Sequence, residues 1–143
     1  TLLKILPLLY IKASMLSECE VMGDDGLETF VTEDDYEVIR INIQELLADR
    51  DDYLDVFVDD MKYSDTPIRK SIAEDLADIY QVTKDFVCQF RSGLNGTMHD
   101  ALAQCRDLFM EYWGQTLVNT MRALHEVKYC KSDEEEEDFL YND

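Results

Sequence analysis

Apolar residues recur every three or four positions along most of this sequence, a spacing typical of amphipathic helices. No stretch alternates apolar and polar residues for long enough to predict a strand, and no internal repeat is visible. Glycine-containing segments interrupt the helical pattern at 18–31 and 92–96. The sequence therefore predicts an all-α fold, an antiparallel bundle of four to five helices.

Two helix starts are marked by capping residues. Thr32 and Asp35 give a capping-box pattern, with Asp in place of the usual Glu, ahead of a helix that is predicted to end near Ala48. The sequence SDTP places Pro67 at a first helical position, where its missing N–H costs nothing, and predicts a helix that continues to about Arg91.

The two ends of the bundle are also predicted to be helical. Segment 2–17 is apolar on most sides, as in a helix packed on several neighbours, and Pro7 marks either its start or a bend. The last helix is predicted from about Thr97 to Tyr129. Because the apolar run begins abruptly, we expect an upstream helix outside this chain, and we treat residues 1–130 as one domain.

The charge of the chain is strongly negative, and it limits the partners. Among 143 residues, 32 acids and 13 bases give a net charge of −19. The tail 131–143 holds seven acids and one base, or −6, so the remaining 130 residues carry −13. The tail is predicted to be disordered. An acidic folded part argues against binding to nucleic acid or to anionic membranes, and favours a basic protein partner.

The cysteine and hydropathy patterns indicate a cytoplasmic protein. The four cysteines, Cys19, Cys88, Cys105 and Cys130, are scattered and lack the spacing of a zinc site. Apolar segment 2–11 is shorter than the roughly 20 residues that span a bilayer. We therefore expect free thiols in a reducing compartment and no membrane insertion.

Two pairs of aspartates are the candidate metal ligands. Asp52-x-x-Asp55 and Asp75-x-x-Asp78 resemble the acidic pairs with which all-α nucleotide pyrophosphatases hold Mg²⁺ against a triphosphate. At about 100° per residue, Asp75 falls at the border of the apolar stripe and Asp78 well outside it. The pattern therefore favours a solvated acidic face over a magnesium site.

Two further segments are candidates for partner binding. Gly114 lies inside a predicted helix beside Trp113, where glycine costs about 1 kcal/mol relative to alanine, so that close helix packing or a pocket is expected there. In the tail, Phe139, Leu140 and Tyr141 follow a run of acids and form a candidate docking motif for a basic protein.

At DMKYSDTPIRKSIAEDLADIYQ and EYWGQTLVNTMRALHEVKY the chain resembles a family of small acidic helical proteins from gut bacteria, known as a domain of unknown function. The resemblance extends over most of residues 1–129. It implies a helical bacterial protein and an upstream helix, and it brings no catalytic residue or cofactor.

These observations favour a cytoplasmic, non-catalytic interaction or regulatory module over an enzyme. No G-x-S-x-G, Walker A or dinucleotide-binding motif occurs, so no catalytic residue or cofactor is predicted. Two alternatives stay open. One is a Mg²⁺-dependent nucleotide phosphohydrolase that uses the paired aspartates, and the other is an acidic mimic of nucleic acid that binds a basic protein.

Overall fold

The computed structural model describes residues 1–23, 26–55 and 68–130. Within them the chain forms four helices, α1 (Leu2–Ser14), α2 (Glu33–Leu47), α3 (Ile72–Phe90) and a long last helix of two halves, α4 (Asn95–Leu108) and α5 (Gly114–Tyr129), joined by a π turn at Phe109–Trp113. The predicted all-α bundle is confirmed. Pro67 and the tail 131–143 lie outside the described residues.

Helix α2 begins where the capping pattern predicts. The Asp35 backbone N–H donates to Thr32 Oγ1, and the Thr32 N–H donates to the Asp35 carboxylate, both at 3.1 Å. Three acids in the first turn also interact favourably with the helix dipole. The helix ends at Leu47, and Ala48 then takes a positive φ of 52° as the chain turns into the short 3₁₀ turn Ala48–Arg50.

The predicted start of α3 at Pro67 is wrong, because the chain first forms a strand. Strands β1 (Asp52–Leu54) and β2 (Arg69–Ser71) pair in antiparallel fashion. Helix α3 begins at Ile72, and the Glu74 N–H donates to Ser71 Oγ at 3.2 Å. The same sequence holds a second capping pattern, Ser71-x-x-Glu74, and the helix begins at this pattern rather than at SDTP.

Asp51 fixes the join between the sheet and α3. This side chain is only 3% exposed. Its carboxylate accepts the Ala73 N–H at 2.7 Å and the Ser71 hydroxyl at 2.5 Å, and its backbone oxygen accepts the Ile72 N–H at 2.9 Å. Because the first N–H groups of a helix lack partners within the helix, these bonds hold the sheet against the start of α3.

The core lies between α3 and the last helix, with α1 packed on α5. Trp113, Ile72, Leu117 and Thr120 are the largest fully buried side chains. The prediction that the last helix continues to Tyr129 is confirmed, since the π turn leaves its backbone helical throughout. Pro7 lies inside α1, so the helix passes through the position predicted for a start or a bend.

Candidate functional site

Asp75 lies in the interior rather than at the border of an exposed face. It is 4% exposed, and its carboxylate accepts hydrogen bonds from the hydroxyls of Tyr53 on β1 and Thr120 on α5, the latter at 3.3 Å. Burial raises its pKa to about 6, and the hydrogen bond from Tyr53 opposes that shift. The helical-wheel placement was wrong because α3 contacts α2, α4 and α5, so side chains beyond its main apolar stripe are also covered.

Asp78 lies one turn further along α3 and is half-buried. The Tyr36 hydroxyl of α2 donates to it at 2.7 Å. The pKa of Tyr36 is raised mainly by burial, and also by its hydrogen bond to Asp78 and the negative charge of that residue. The pKa of Tyr112, in the π turn, is raised for the same reasons. Both tyrosines are therefore neutral hydrogen-bond donors at physiological pH.

The four candidate metal ligands are in different surroundings. Asp52 is exposed on β1, whereas Asp55, after the strand, is 8% exposed and donates its backbone N–H to the Ile68 carbonyl at 2.8 Å. Asp75 and Asp78 face tyrosine hydroxyls. In the three described ranges, no group of three or more His, Cys, Asp or Glu side chains is arranged to hold a metal ion. The magnesium hypothesis stays a prediction.

Trp113 and Gly114 belong to the interior. The Trp113 indole is 1% exposed, its N–H donates to the Cys105 carbonyl at 3.3 Å, and its ring makes an edge contact with Phe109. Gly114 is buried, and its N–H donates to the Phe109 carbonyl, the i to i−5 bond of the π turn. These residues support the helix junction and present no surface to a partner. The other partner candidates, Phe139, Leu140 and Tyr141, lie outside the described residues.

A cavity of about 200 Å³ lies between α3 and α4 and is also lined by Leu27 and Thr29. The Asp85 carboxylate accepts the Phe30 and Val31 N–H groups at 2.7 and 2.8 Å, so this segment is tied to α3. Cys105 lines the cavity, and burial raises the pKa of its thiol to about 11. The thiol is therefore protonated at neutral pH and is a packing group rather than a nucleophile.

The outer face of α1 is apolar and has no partner within the described residues. It consists of four apolar side chains that are between 51% and 72% exposed: Ile5, Leu8, Ile11 and Met15. The opposite side of the helix is in the core, where Leu6 and Ala13 are buried. The sequence, apolar on most sides of this helix, predicts several neighbours, and it does not indicate which side is exposed in the described residues.

The comparisons with known proteins agree with this fold. A family model described as a domain of unknown function, DUF5063, matches residues 1–130. The chain belongs to the DUF5063 family. The resemblance proposed from the sequence is thereby confirmed.

This DUF5063 chain is also similar to a solved structure, the crystal structure of protein BF1032 from Bacteroides fragilis. The two are 55% identical with a TM-score of 0.78, and the match covers 92% of this chain and 75% of that chain. No curated protein matches the chain. Within the described residues of this DUF5063 protein, every helix is too short or too polar to cross a membrane.

Proposed function

We propose that this protein is a non-catalytic protein-interaction module and that the outer face of α1 is its docking surface. The observation that carries the proposal is the exposure of that face, on which four large apolar side chains lie along one side of the helix and its C-terminal end. Isolated exposed apolar residues are ordinary on protein surfaces, whereas a contiguous patch of several hundred Å² is typical of an interaction site.

The spacing of the face fits a second helix, and the charge of the rest of the chain favours a basic one. Apolar side chains three and four positions apart form the ridge against which a second helix packs. Residues 1–17 contain two lysines and no acids, so the rest of the chain carries −19 − 2, or −21. The contact therefore desolvates no carboxylate, and Lys4 and Lys12 are exposed beside it. The attraction for a positively charged partner comes from the negative charge of the rest of the chain and not from the face itself.

The described geometry supports an interaction module more than a magnesium enzyme. Asp75 and Asp78 are already engaged by tyrosine hydroxyls, and Asp52 lies on the solvent side of β1. A catalytic metal site needs carboxylate oxygens that converge on one open position. The four cysteines are free thiols, which supports a cytoplasmic location. The similarity to a Bacteroides fragilis protein supports a bacterial origin.

The test is a capture experiment with matched charge variants. Leu8→Glu and Ile11→Glu each place a carboxylate on the outer face of α1, whereas Leu46→Glu makes the same change at a side chain of α2 that is 80% exposed. Proteins retained from a lysate of the source organism are identified and then purified, and their affinities are measured by calorimetry. Equal melting temperatures show that all three variants are folded.

We expect a retained protein with a positive net charge that binds wild type and Leu46→Glu equally. It should bind Leu8→Glu and Ile11→Glu at least tenfold more weakly, because a carboxylate at the centre of the contact loses its hydration. Equal affinities of the partner for wild type and all three variants, or no saturable binding by any purified candidate, would contradict the proposal.

A further inference from the structure

Helix α1 runs antiparallel to the last helix. The Tyr10 ring makes an edge contact with the Phe109 ring, and their centroids are 5.2 Å apart. Further along the chain, the Glu20 carbonyl oxygen lies 2.8 Å from His99 Nε2. The chain therefore runs toward the start of α4 as it leaves α1. Because α1 packs on α5, the residues before Tyr10 lie beside α5, and the first turns of α1 point toward its end at Tyr129.

The residues that follow α5 are long enough to return to α1. The backbone is extended at Cys130, and residues 131–143 come next, outside the described part of the chain. At about 1.5 Å per residue, Leu8 lies about 27 Å short of Tyr129 along the last helix. About 10 Å between packed helix axes brings the separation to about 30 Å. An extended chain spans up to about 3.5 Å per residue, so Leu140 can reach about 35 Å from Cys130.

The order of side chains in 131–143 matches the order of side chains along α1. The acids at 133–138 come first, and the apolar sequence FLY at 139–141 follows them. Seen from the end of α5, α1 presents the exposed Lys4 first, and Ile5 and Leu8 of the outer face follow. When FLY lies against Ile5 and Leu8, the acids that precede it lie beside Lys4.

The charges of the chain also favour α1 over the rest of the surface. Residues 1–17 are the longest run of this sequence without an acid. The chain carries −19, of which 131–143 contribute −6 and 1–17 contribute +2, so residues 18–130 carry −15. The acidic tail is therefore repelled by most of the protein and attracted by α1, where exposed apolar side chains match its own.

We propose that residues 131–143 fold back on the outer face of α1 as a latch, with FLY against Ile5 and Leu8 and the acids beside Lys4. The latch rests on the proposed function in that the face it covers is the docking surface. The tail has to leave before a partner helix can pack there. A positively charged partner attracts the same acids and so favours their release, whereas a neutral apolar helix does not. The latch thereby makes the docking surface selective for basic partners.

The test is an intramolecular crosslink in the purified full chain. A photoreactive phenylalanine analogue replaces Phe139, and the products are digested with trypsin and identified by mass spectrometry. We expect products with the tryptic peptide 5–12, which contains Ile5 and Leu8. We expect none at Met15, because it lies about 40 Å from Cys130, whereas position 139 reaches about 32 Å. In a mixture of ¹⁵N-labelled and unlabelled copies, products that join a heavy to a light peptide would show binding between two copies and overturn the latch.

Matched variants at exposed positions test the apolar and the charged parts of the contact. Leu8→Glu should lower the crosslink yield about tenfold, because a carboxylate there loses hydration and repels the acids, whereas Leu46→Glu should leave the yield unchanged. Lys4→Gln should lower it about two- to fivefold, and Lys84→Gln, on α3, should have no effect. Equal yields from wild type and Leu8→Glu, or products without preference for peptide 5–12, would overturn the proposal. Equal melting temperatures show that the variants are folded.

The regulatory role is tested with the basic partner. Replacing Phe139, Leu140 and Tyr141 by serine removes the apolar contact of the latch and keeps every charge of the tail. Because tail and partner exclude each other from the face, this variant should bind the partner at least about twofold more tightly than wild type. Equal or weaker binding would overturn the regulatory role. The crosslink needs no partner, so its failure counts against the latch alone, whereas failure of the capture experiment counts against the docking of a basic protein.

Discussion

Replacing Gly114 by alanine should destabilise this protein, although alanine is the better helix former. The Gly114 N–H donates to the Phe109 carbonyl in the π turn. A Cβ on Gly114 would lie 2.5 Å from that carbonyl oxygen and 3.1 Å from the Phe109 ring. The ring is itself held between Tyr10 and Trp113, with centroids 5.2 and 4.8 Å away, so neither the carbonyl nor the ring is free to move aside.

The expected loss of stability is the difference between two opposing contributions to the free energy of unfolding. Glycine to alanine in a helix interior is favourable by about 1 kcal/mol. Forcing a methyl group into a packed site costs about 1–3 kcal/mol, and the upper part of that range applies because a backbone carbonyl is in the way. Gly114→Ala should therefore lower the free energy of unfolding by about 1–2 kcal/mol, and the urea midpoint by about 0.5–1 M.

The assay is equilibrium urea unfolding followed by circular dichroism. Gly96→Ala is the matched control, because Gly96 is also helical and has nothing within 4 Å of the added Cβ. That control should leave stability unchanged or raise it by up to about 1 kcal/mol. If Gly114→Ala proves as stable as Gly96→Ala, the steric explanation for this glycine is wrong.

Two capping residues give further predictions. Asp51→Ala should lower the free energy of unfolding by about 1–2 kcal/mol, because the Ala73 N–H and the start of α3 lose their buried acceptor; a loss below about 0.3 kcal/mol in urea unfolding would refute that role. Thr32→Ala should cost about 1 kcal/mol and speed amide exchange in the first turn of α2, while exchange in α4 stays unchanged. Uniform acceleration across both helices would show that Thr32 acts on the whole fold.

The helices could be predicted from the sequence because they depend on local patterns. The apolar periodicity gave the fold class, and the Thr32 capping box and the end at Tyr129 gave two boundaries. The prediction of where α3 starts failed, because the pairing between strands 52–54 and 69–71 depends on residues far apart in the chain. A local capping pattern at Ser71 was present in the sequence, but it competed with the stronger capping signal of SDTP.

The surroundings of single side chains were harder to predict. Asp75 is buried because α3 has neighbours on several sides, and a helical wheel with one apolar stripe does not include them. Gly114 was recognised as costly, but its reason, the close carbonyl of Phe109, requires knowledge of the π turn. The outer face of α1 illustrates the converse, since the sequence shows that the helix is apolar on most sides but not which side is exposed.

Site-specific photo-crosslinking in the source cells tests the docking surface most directly. A photoreactive phenylalanine analogue is placed at Leu8, on the outer face of α1, or at Leu46, an even more exposed position on α2. Our account predicts a discrete crosslinked product with a basic protein from position 8 and none from position 46. Absence of a product at position 8, or the same products from both positions, would contradict the claim that the outer face of α1 is a docking surface.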